Sequence, residues 1–356
     1  MRMIVTGGAG FIGSAVCRHL IETTDAQITN IDTLTYAGSV ASLWEISRDQ
    51  RHRLVRANIC DAAAINRVFQ ETKPDAVLHL AAESHVDRSI NGARAFVETN
   101  IVGTFNLLDA ARRHWAGLGA DAKSKFRFLH VSTDELYGSL GPEGHFTEST
   151  RFDPSSPYSA SKAAADHLVI SWHRTYGLPV LIASCSNNYG PYQFPEKLLP
   201  LTLLNALEGK PLTLYGDGSN IRDWLYVSDN VRALELILRD GRVGQTYNIG
   251  GRSERSNLQL VTSICRVLDR LVPAAQPYER LITFVPDRPC HDQRHAIDST
   301  KIETELGWRT RETFETGLTK TVRWYLDNDW WWRPLRQRVY SGDRLGLIGT
   351  QPQVAR

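Results

Sequence analysis

Cysteine is scarce in these 356 residues. Cys17, Cys60, Cys185, Cys265 and Cys290 are scattered, odd in number and without a Cys-x-x-Cys pair. That pattern fits free thiols in a reducing cytoplasm and offers no metal-ligand spacing. No apolar run reaches about 18 residues, so nothing is expected to span a membrane. No lysine or arginine block appears and the net charge is only +2, which argues against a general nucleic-acid surface. Met1–Thr6 runs straight into a predicted strand without a signal-peptide layout, again pointing to the cytoplasm. Internal repeats and low-complexity tracts are missing too. The remainder, 42% hydrophobic and 22% charged, is ordinary for a soluble globular chain. Its length calls for two packed units, or one large α/β unit with an appendage.

A short apolar strand, Met3–Thr6, is followed at once by Gly7-Gly8-Ala9-Gly10-Phe11-Ile12-Gly13 and then by a helix. Side chains at these glycines would keep a pyrophosphate from the backbone N–H groups at the helix start. The next strand ends in Asp32, placed to accept both ribose hydroxyls of an adenosine. Asp32 would repel a 2′-phosphate and Thr33 is no compensating arginine, so NAD is favoured over NADP. Strand and helix then alternate: strand Arg53–Ala57, helix Asp61–Glu71, strand Ala76–Leu80, a long helix from about Ala93 to His114, and strand Phe126–Val131. This rhythm predicts a Rossmann-like, doubly wound parallel sheet with helices on both faces. Residues 1–184 form the NAD-binding domain in this reading, with return segments near 222–250. Residues 185–327 are mainly a smaller α/β substrate-binding lobe, and 328–356 a tryptophan-rich tail. Trp330-Trp331-Trp332 is expected to pack on the body or on a neighbouring subunit, and 342–356 to be poorly ordered.

Two stretches carry chemistry. Val131-Ser132-Thr133-Asp134-Glu135-Leu136-Tyr137-Gly138 places two hydroxyls and two carboxylates at a strand's carboxyl end, where α/β sheets bind ligands. The same residues also read as a helix start, with Ser132 or Thr133 as cap. Downstream, Tyr158 and Lys162 lie four apart on one face of a helix ending near Tyr176. A phenol with pKa near 10 is a poor base at pH 7, but a nearby ammonium favours the phenolate.

Thr6-Gly7-Gly8-Ala9-Gly10-Phe11-Ile12-Gly13, the Tyr-x-x-x-Lys pair and the hydroxyl between them resemble the extended short-chain dehydrogenase/reductase superfamily. More narrowly, the chain is similar to the dTDP-glucose 4,6-dehydratase family from residue 3 to about 327. Carrying that are 32–38 (Asp-Thr-Leu-Thr-Tyr-Ala-Gly), 80–89 (Leu-Ala-Ala-Glu-Ser-His-Val-Asp-Arg-Ser), Ser132–Glu135 and 187–192 (Asn-Asn-Tyr-Gly-Pro-Tyr). The resemblance implies that NAD is held by Gly7, Gly10, Phe11, Ile12, Gly13, Asp32, Leu34, Thr35, Asn58, Ile59, Leu80, Ala81, Ala82, Ser84, Thr99, Tyr158, Lys162 and Asn188. It places a nucleotide sugar against Ser84, Thr133, Asn187, Lys197, Leu198, Thr213, Tyr215, Arg222, Asn257, Asp287, Arg288 and His291. No metal is implied.

The implied reaction converts dTDP-glucose to dTDP-4-keto-6-deoxyglucose and water, a step toward deoxysugars. Oxidising C4 makes the C5 hydrogen acidic, which explains why a dehydratase would use an NAD fold. Tyr158 takes the C4 hydroxyl proton, Lys162 holds the phenolate and Thr133 bonds the C4 oxygen. Glu135 removes the C5 proton and Asp134 protonates the departing C6 hydroxyl. Opposed jobs require different pKa values, so Asp134 should be raised. A 4-epimerase of the same fold needs Tyr158, Lys162 and NAD but has no use for Asp134-Glu135. A catalytically silent NAD-sensing protein would be expected to lose Tyr158 or Lys162. Three departures stand out: Asn58 where the family carries Asp, Cys290 where it carries glycine, and a short segment between Gly138 and Phe146. The helices 93–114 and 158–176 resemble a pair that builds a four-helix homodimer interface. Their outer faces, with Val97, Ile101 and Leu108, suit burial within one chain equally well.

Overall fold

The first strand, β1 (Arg2–Thr6), sends Met3 and Val5 into one hydrophobic layer and Ile4 into another. That period of two is what a strand with helices on both faces requires. The computed structural model describes residues 1–289, 291–340, 342 and 345. The expectation for Cys290, and most of the stretch 341–356, lie outside the described residues.

After β1 come α1 (Phe11–Thr23), β2 (Gln27–Asp32), β3 (His52–Arg56), α2 (Ala62–Thr72) and β4 (Ala76–His79). Short helices α3 (Val86–Asn91) and α4 (Ala93–Phe96) precede α5 (Thr104–Ala116), α6 (Ala120–Lys125) and β5 (Arg127–Thr133). Then follow α7 (Pro157–Tyr176), β6 (Val180–Cys185), β7 (Asn187–Tyr189), α8 (Leu198–Leu207), β8 (Leu212–Tyr215) and β9 (Ile221–Tyr226). The chain continues through α9 (Val227–Asp240), β10 (Thr246–Ile249), β11 (Glu254–Ser256), α10 (Asn257–Leu271) and β12 (Ile282–Val285). It closes with α11 (Thr300–Leu306), α12 (Phe314–Asp327) and α13 (Asp329–Arg338).

Seven strands form one parallel sheet in the order β3-β2-β1-β4-β5-β6-β10. The strand order reverses between β1 and β4, and open sheets of this kind bind ligands in the crevice outside such a switch point. One face packs on α1 and α9 through Val16, Leu20, Val231, Leu234 and Ile237. The other packs on α2, α5 and α7 through Ile65, Phe69, Leu107, Leu108 and Val169. Leu108 is therefore buried within the chain and does not belong to an outer face. A third core joins α8, α10, α12 and α13 to two small sheets, β7-β9-β11 and β8-β12. In the stretch 222–250, β10 joins the edge of the large sheet, whereas β9 pairs with β7 and β11 instead.

The helix expected from Ala93 is interrupted. Val97–Gly103 widens into a π-helical turn between α4 and α5. There Asn100 turns inward, its Nδ2 donating to Glu83 O (3.0 Å) and Ser161 Oγ (2.8 Å). A side chain inserted this way favours the wider turn, and such turns often sit at functional sites. The tryptophan run is also more ordered than a tail. It lies on α13, where Trp331 Nε1 donates to Ser42 Oγ (3.0 Å) and Trp332 Nε1 to Tyr325 O (2.7 Å). Both rings pack on the chain's own body. No helix among the described residues is long and apolar enough to cross a membrane.

Candidate active site

The glycine turn after β1 shows what each glycine is for. Gly7 has φ +72°, and a Cβ there would lie 2.7 Å from Ala81 N. A Cβ on Gly13 would lie 2.1 Å from Gly7 O, so the turn and α1 could not close on any larger residue. Gly10 differs: its backbone is extended and a Cβ would meet only Gly7 O, at 3.3 Å. Neither conformation nor close packing accounts fully for a glycine at 10, whereas a phosphate approaching the uncapped start of α1 does. Phe11 and Ile12 open that helix, with no side chain capping it.

Asp32 ends β2 with each carboxylate oxygen accepting one backbone N–H, from Ala9 (2.9 Å) and Leu34 (2.7 Å). Each oxygen keeps a lone pair for a ribose hydroxyl. Leu34, at φ +56°, and Thr35 follow in the turn that the carboxylate holds. Asn58 Oδ1 accepts from Cys60 N (2.9 Å), so this departure from the family's Asp shapes its own loop. Ile59 is buried. Past β4, the N–H groups of Leu80 and Ala81 bond Thr6 Oγ1, fixing the strand end that leads to Ala82. Ser84 O takes Lys197 Nζ at 2.8 Å, Thr99 sits in the π-helical turn, and Asn188 Oδ1 is buried without a partner. These positions fit a dinucleotide laid across the switch point.

Thr133 ends β5 and caps the four-residue 3-10 turn Asp134–Tyr137, its Oγ1 accepting from Glu135 N at 3.2 Å. Ser132, the alternative cap, turns away and donates to Asp166 Oδ2 at 2.9 Å. Asp134 is 1% exposed, and its Oδ2 has no hydrogen-bond partner among the described residues. Burial pushes its pKa up to about 7, Glu135 and Asp223 adding to the rise while His295 and Arg222 oppose it. The expected elevation of Asp134 is met.

Across the crevice, Ser156 and Ser159 form a capping box and Pro157 occupies the first turn of α7. They fix the start of the helix that carries Tyr158 and Lys162, both buried. Here the structure departs from the expected direction. Burial raises the Tyr158 phenol well above its usual range, the Glu135 carboxylate adds to this, and the Thr133 hydroxyl opposes it. The Lys162 ammonium is turned aside, Nζ donating to Val131 O at 2.8 Å and meeting His130 Nε2 at 3.3 Å. Burial lowers Lys162 to about 8, with Asp166 opposing.

A cavity of about 230 Å³ opens beside Glu135. Of the predicted sugar-nucleotide residues, Asn187, Lys197, Leu198, Thr213, Tyr215, Arg222, Asn257, Arg288 and His291 line it. Ser84, Thr133 and Asp287 do not. Asp287 lies behind His291, its Oδ1 2.6 Å from Nδ1 of the ring. Burial and then Arg288 lower His291 to about 4, against Asp287. Arg222 is almost wholly buried, donating to Ile221 O (2.7 Å) and Asp292 O (2.9 Å). Arg288 pairs with Asp87, which also accepts from Tyr215 OH at 3.1 Å. Two guanidinium groups in one cavity suit a diphosphate.

Sequence reasoning assigned no role to Asp87, Glu196, Asp292 or His295, all of which hold or line this region. Glu196 lines the cavity and pairs with Arg88 at 2.8 Å. Asp87 stands within the 80–89 stretch and Asp292 follows His291 directly, and only their partners in the fold reveal what they do.

The GDP-mannose 4,6 dehydratase family model matches residues 4–321. A protein of Sinorhizobium fredii named as a probable dTDP-glucose 4,6-dehydratase is 61% identical, over 98% of this chain and 99% of the relative. The dTDP-glucose 4,6-dehydratase of Salmonella typhimurium is 57% identical, over 96% and 97%. Among solved structures, DesIV of Streptomyces venezuelae, a dTDP-glucose 4,6-dehydratase with NAD and TYD bound, superposes with TM-score 0.87. It is 46% identical and matches 94% of this chain and 100% of its own.

Proposed function

The chain belongs to the GDP-mannose 4,6 dehydratase family, and from that membership and the geometry above we propose that it converts dTDP-glucose to dTDP-4-keto-6-deoxyglucose and water. One observation carries the reading at the level of residues. A buried carboxyl poised near pKa 7, Asp134, stands next to a second carboxylate at the mouth of a sugar-nucleotide cavity. An epimerase would have no use for that pair.

NAD, when bound, would supply the hydride acceptor for C4 and the hydride donor for C6. The glycine turn, Asp32 and Lys162 would hold it, and Arg222 and Arg288 would hold the diphosphate. Tyr158 takes the C4 hydroxyl proton while Thr133 bonds the same oxygen. Glu135 then draws off the C5 proton, Asp134 gives its proton to the C6 hydroxyl, and water leaves. Incubation with dTDP-glucose tests this directly: a keto-sugar chromophore in alkali is expected, and dTDP-galactose would point to an epimerase. Running UDP-glucose in parallel measures how strictly thymidine is required.

The protonation of Asp134 gives a pH dependence. Its carboxyl is mostly protonated below about 7 and ionised above, so elimination loses its acid as pH rises. The rate of keto-sugar formation is expected to fall between about pH 7 and about pH 9. A rate that climbs steadily over that interval would remove Asp134 from this role.

We also propose a homodimer. Val97, Val102 and Phe105 along the 93–116 helices and Tyr176 at the end of α7 are exposed apolar groups on neighbouring elements. Sedimentation is expected to give a dimer, and Phe105→Glu to shift it toward monomer. The unpaired thiols Cys17, Cys60, Cys185 and Cys265 suit a cytoplasmic location.

A further inference from the structure

One turnover of this reaction leaves two protons misplaced. Asp134 has given its proton to the oxygen leaving C6, which departs as water when the C6–O bond breaks. Tyr158 still holds the proton taken from the C4 hydroxyl. Glu135 is restored, because the proton it took from C5 returns there as the hydride reaches C6. Substrate and products differ by nothing except rearrangement and water, so no net proton is released. Asp134 must nevertheless gain one proton and Tyr158 must shed one before the next sugar reacts. At 1% exposure, Asp134 has little direct access to bulk water.

Two side chains outside the assigned set answer this need. His295 is as buried as Asp134, and its Nδ1 and Asp134 Oδ2 are both without hydrogen-bond partners among the described residues. Buried polar atoms are rarely left so, and one that is calls for an explanation. On its other edge, His295 Nε2 meets Asp292 Oδ2 at 3.1 Å. Asp292 lines the cavity, and its Oδ1 accepts from exposed Ser155 Oγ at 2.7 Å. The ring is fixed from behind: His295 N donates to Ile221 O at 3.0 Å, and Phe146 packs beside it with ring centroids 6.3 Å apart. Ile221 begins β9, the strand that also carries Arg222 and Asp223. Among neighbouring charges, His295 acts most strongly on Asp134.

We propose that His295, backed by Asp292, is the proton path that recharges Asp134 between turnovers. The inference rests on the dehydratase reading above. The imidazolium, paired with Asp292, yields one proton to Asp134 through an intervening water. The neutral ring regains one from cavity water after product leaves, and Tyr158 releases its proton to the same water, so the count closes. Both are positioning residues that act through Asp134. Thr133 offers an internal alternative from Tyr158, since its Oγ1 lies 3.5 Å from Asp134 Oδ1. That contact is at the limit of hydrogen-bond length, and the time course below separates the two routes.

The test is a time course with NAD-loaded, full-length His295→Gln, equilibrated at about pH 6 so that Asp134 begins protonated, then mixed with excess dTDP-glucose. A burst of one keto-sugar per active site at the wild-type rate is expected, followed by a steady rate about 10²-fold lower. Added imidazole should restore the steady rate. Asp292→Asn should show the same burst with a smaller later deficit, and it carries the test if the first variant does not fold. A linear time course at the wild-type rate would overturn the proposal and assign the proton to Thr133. A first turnover slowed as much as later ones would overturn it too, because His295 would then merely shape the site. Wild-type protein forming no keto-sugar at all would instead refute the dehydratase reading.

Discussion

Glu135→Gln is expected to oxidise C4 normally, accumulate bound NADH and form keto-sugar about 10²–10⁴-fold more slowly. Glutamine keeps the volume of the side chain and leaves the turn intact, since the cap is a bond from the Glu135 backbone N–H to Thr133 Oγ1. What disappears is the base for the C5 proton. Oxidation should not suffer, because the Glu135 charge raises the Tyr158 phenol and removing it makes that phenol easier to ionise. The measurement is single-turnover absorbance of reduced nicotinamide beside a quench assay for the keto-sugar. Turnover at the wild-type rate would show that Glu135 is not the base.

Tyr158→Phe is expected to stop the reaction one step earlier. No reduced nicotinamide should appear, and the loss should again be about 10²–10⁴-fold. Phenylalanine keeps the ring and its edge contact with Phe96, whose centroid lies 6.2 Å away. The fold should therefore tolerate the change, with a stability effect of no more than about 1 kcal/mol from removal of the hydroxyl. Chemical denaturation checks that separately from activity. The pair of variants divides the reaction between its two halves. If Tyr158→Phe accumulated reduced nicotinamide as Glu135→Gln does, the proton at C4 would have another acceptor.

Much of this site was legible before any fold was known, because its chemistry is local. The glycine turn lies within seven residues and Asp32 closes the next strand. Thr133, Asp134 and Glu135 are consecutive, and Tyr158 and Lys162 are one helical turn apart. The doubly wound sheet was equally readable, since buried parallel strands alternating with helices repeat at a fixed rhythm. Smaller pieces were not. β7 and β11 span three residues each, too short for periodicity to register, and the π-helical turn comes from Asn100 reaching Glu83 and Ser161.

Burial and charge were beyond the reach of local pattern. Which of two hydroxyls caps the turn was decided by Asp166, 34 positions from Ser132. That Arg288 meets Asp87, 201 positions away, gives this proposed diphosphate clamp its own counter-charge. The directions of the Tyr158 and Lys162 shifts follow from how completely the folded chain buries them, and no motif encodes that. At Val131–Gly138, residue order alone named two carboxylates at a strand end and required them to differ. Tertiary packing decided how: Asp134 is enclosed, with one oxygen unbonded among the described residues, in the field of His295 and Asp223, while Glu135 borders the cavity. Covalent neighbours can place two like groups side by side, but only the solvent and charges brought around each by folding can set their protons apart.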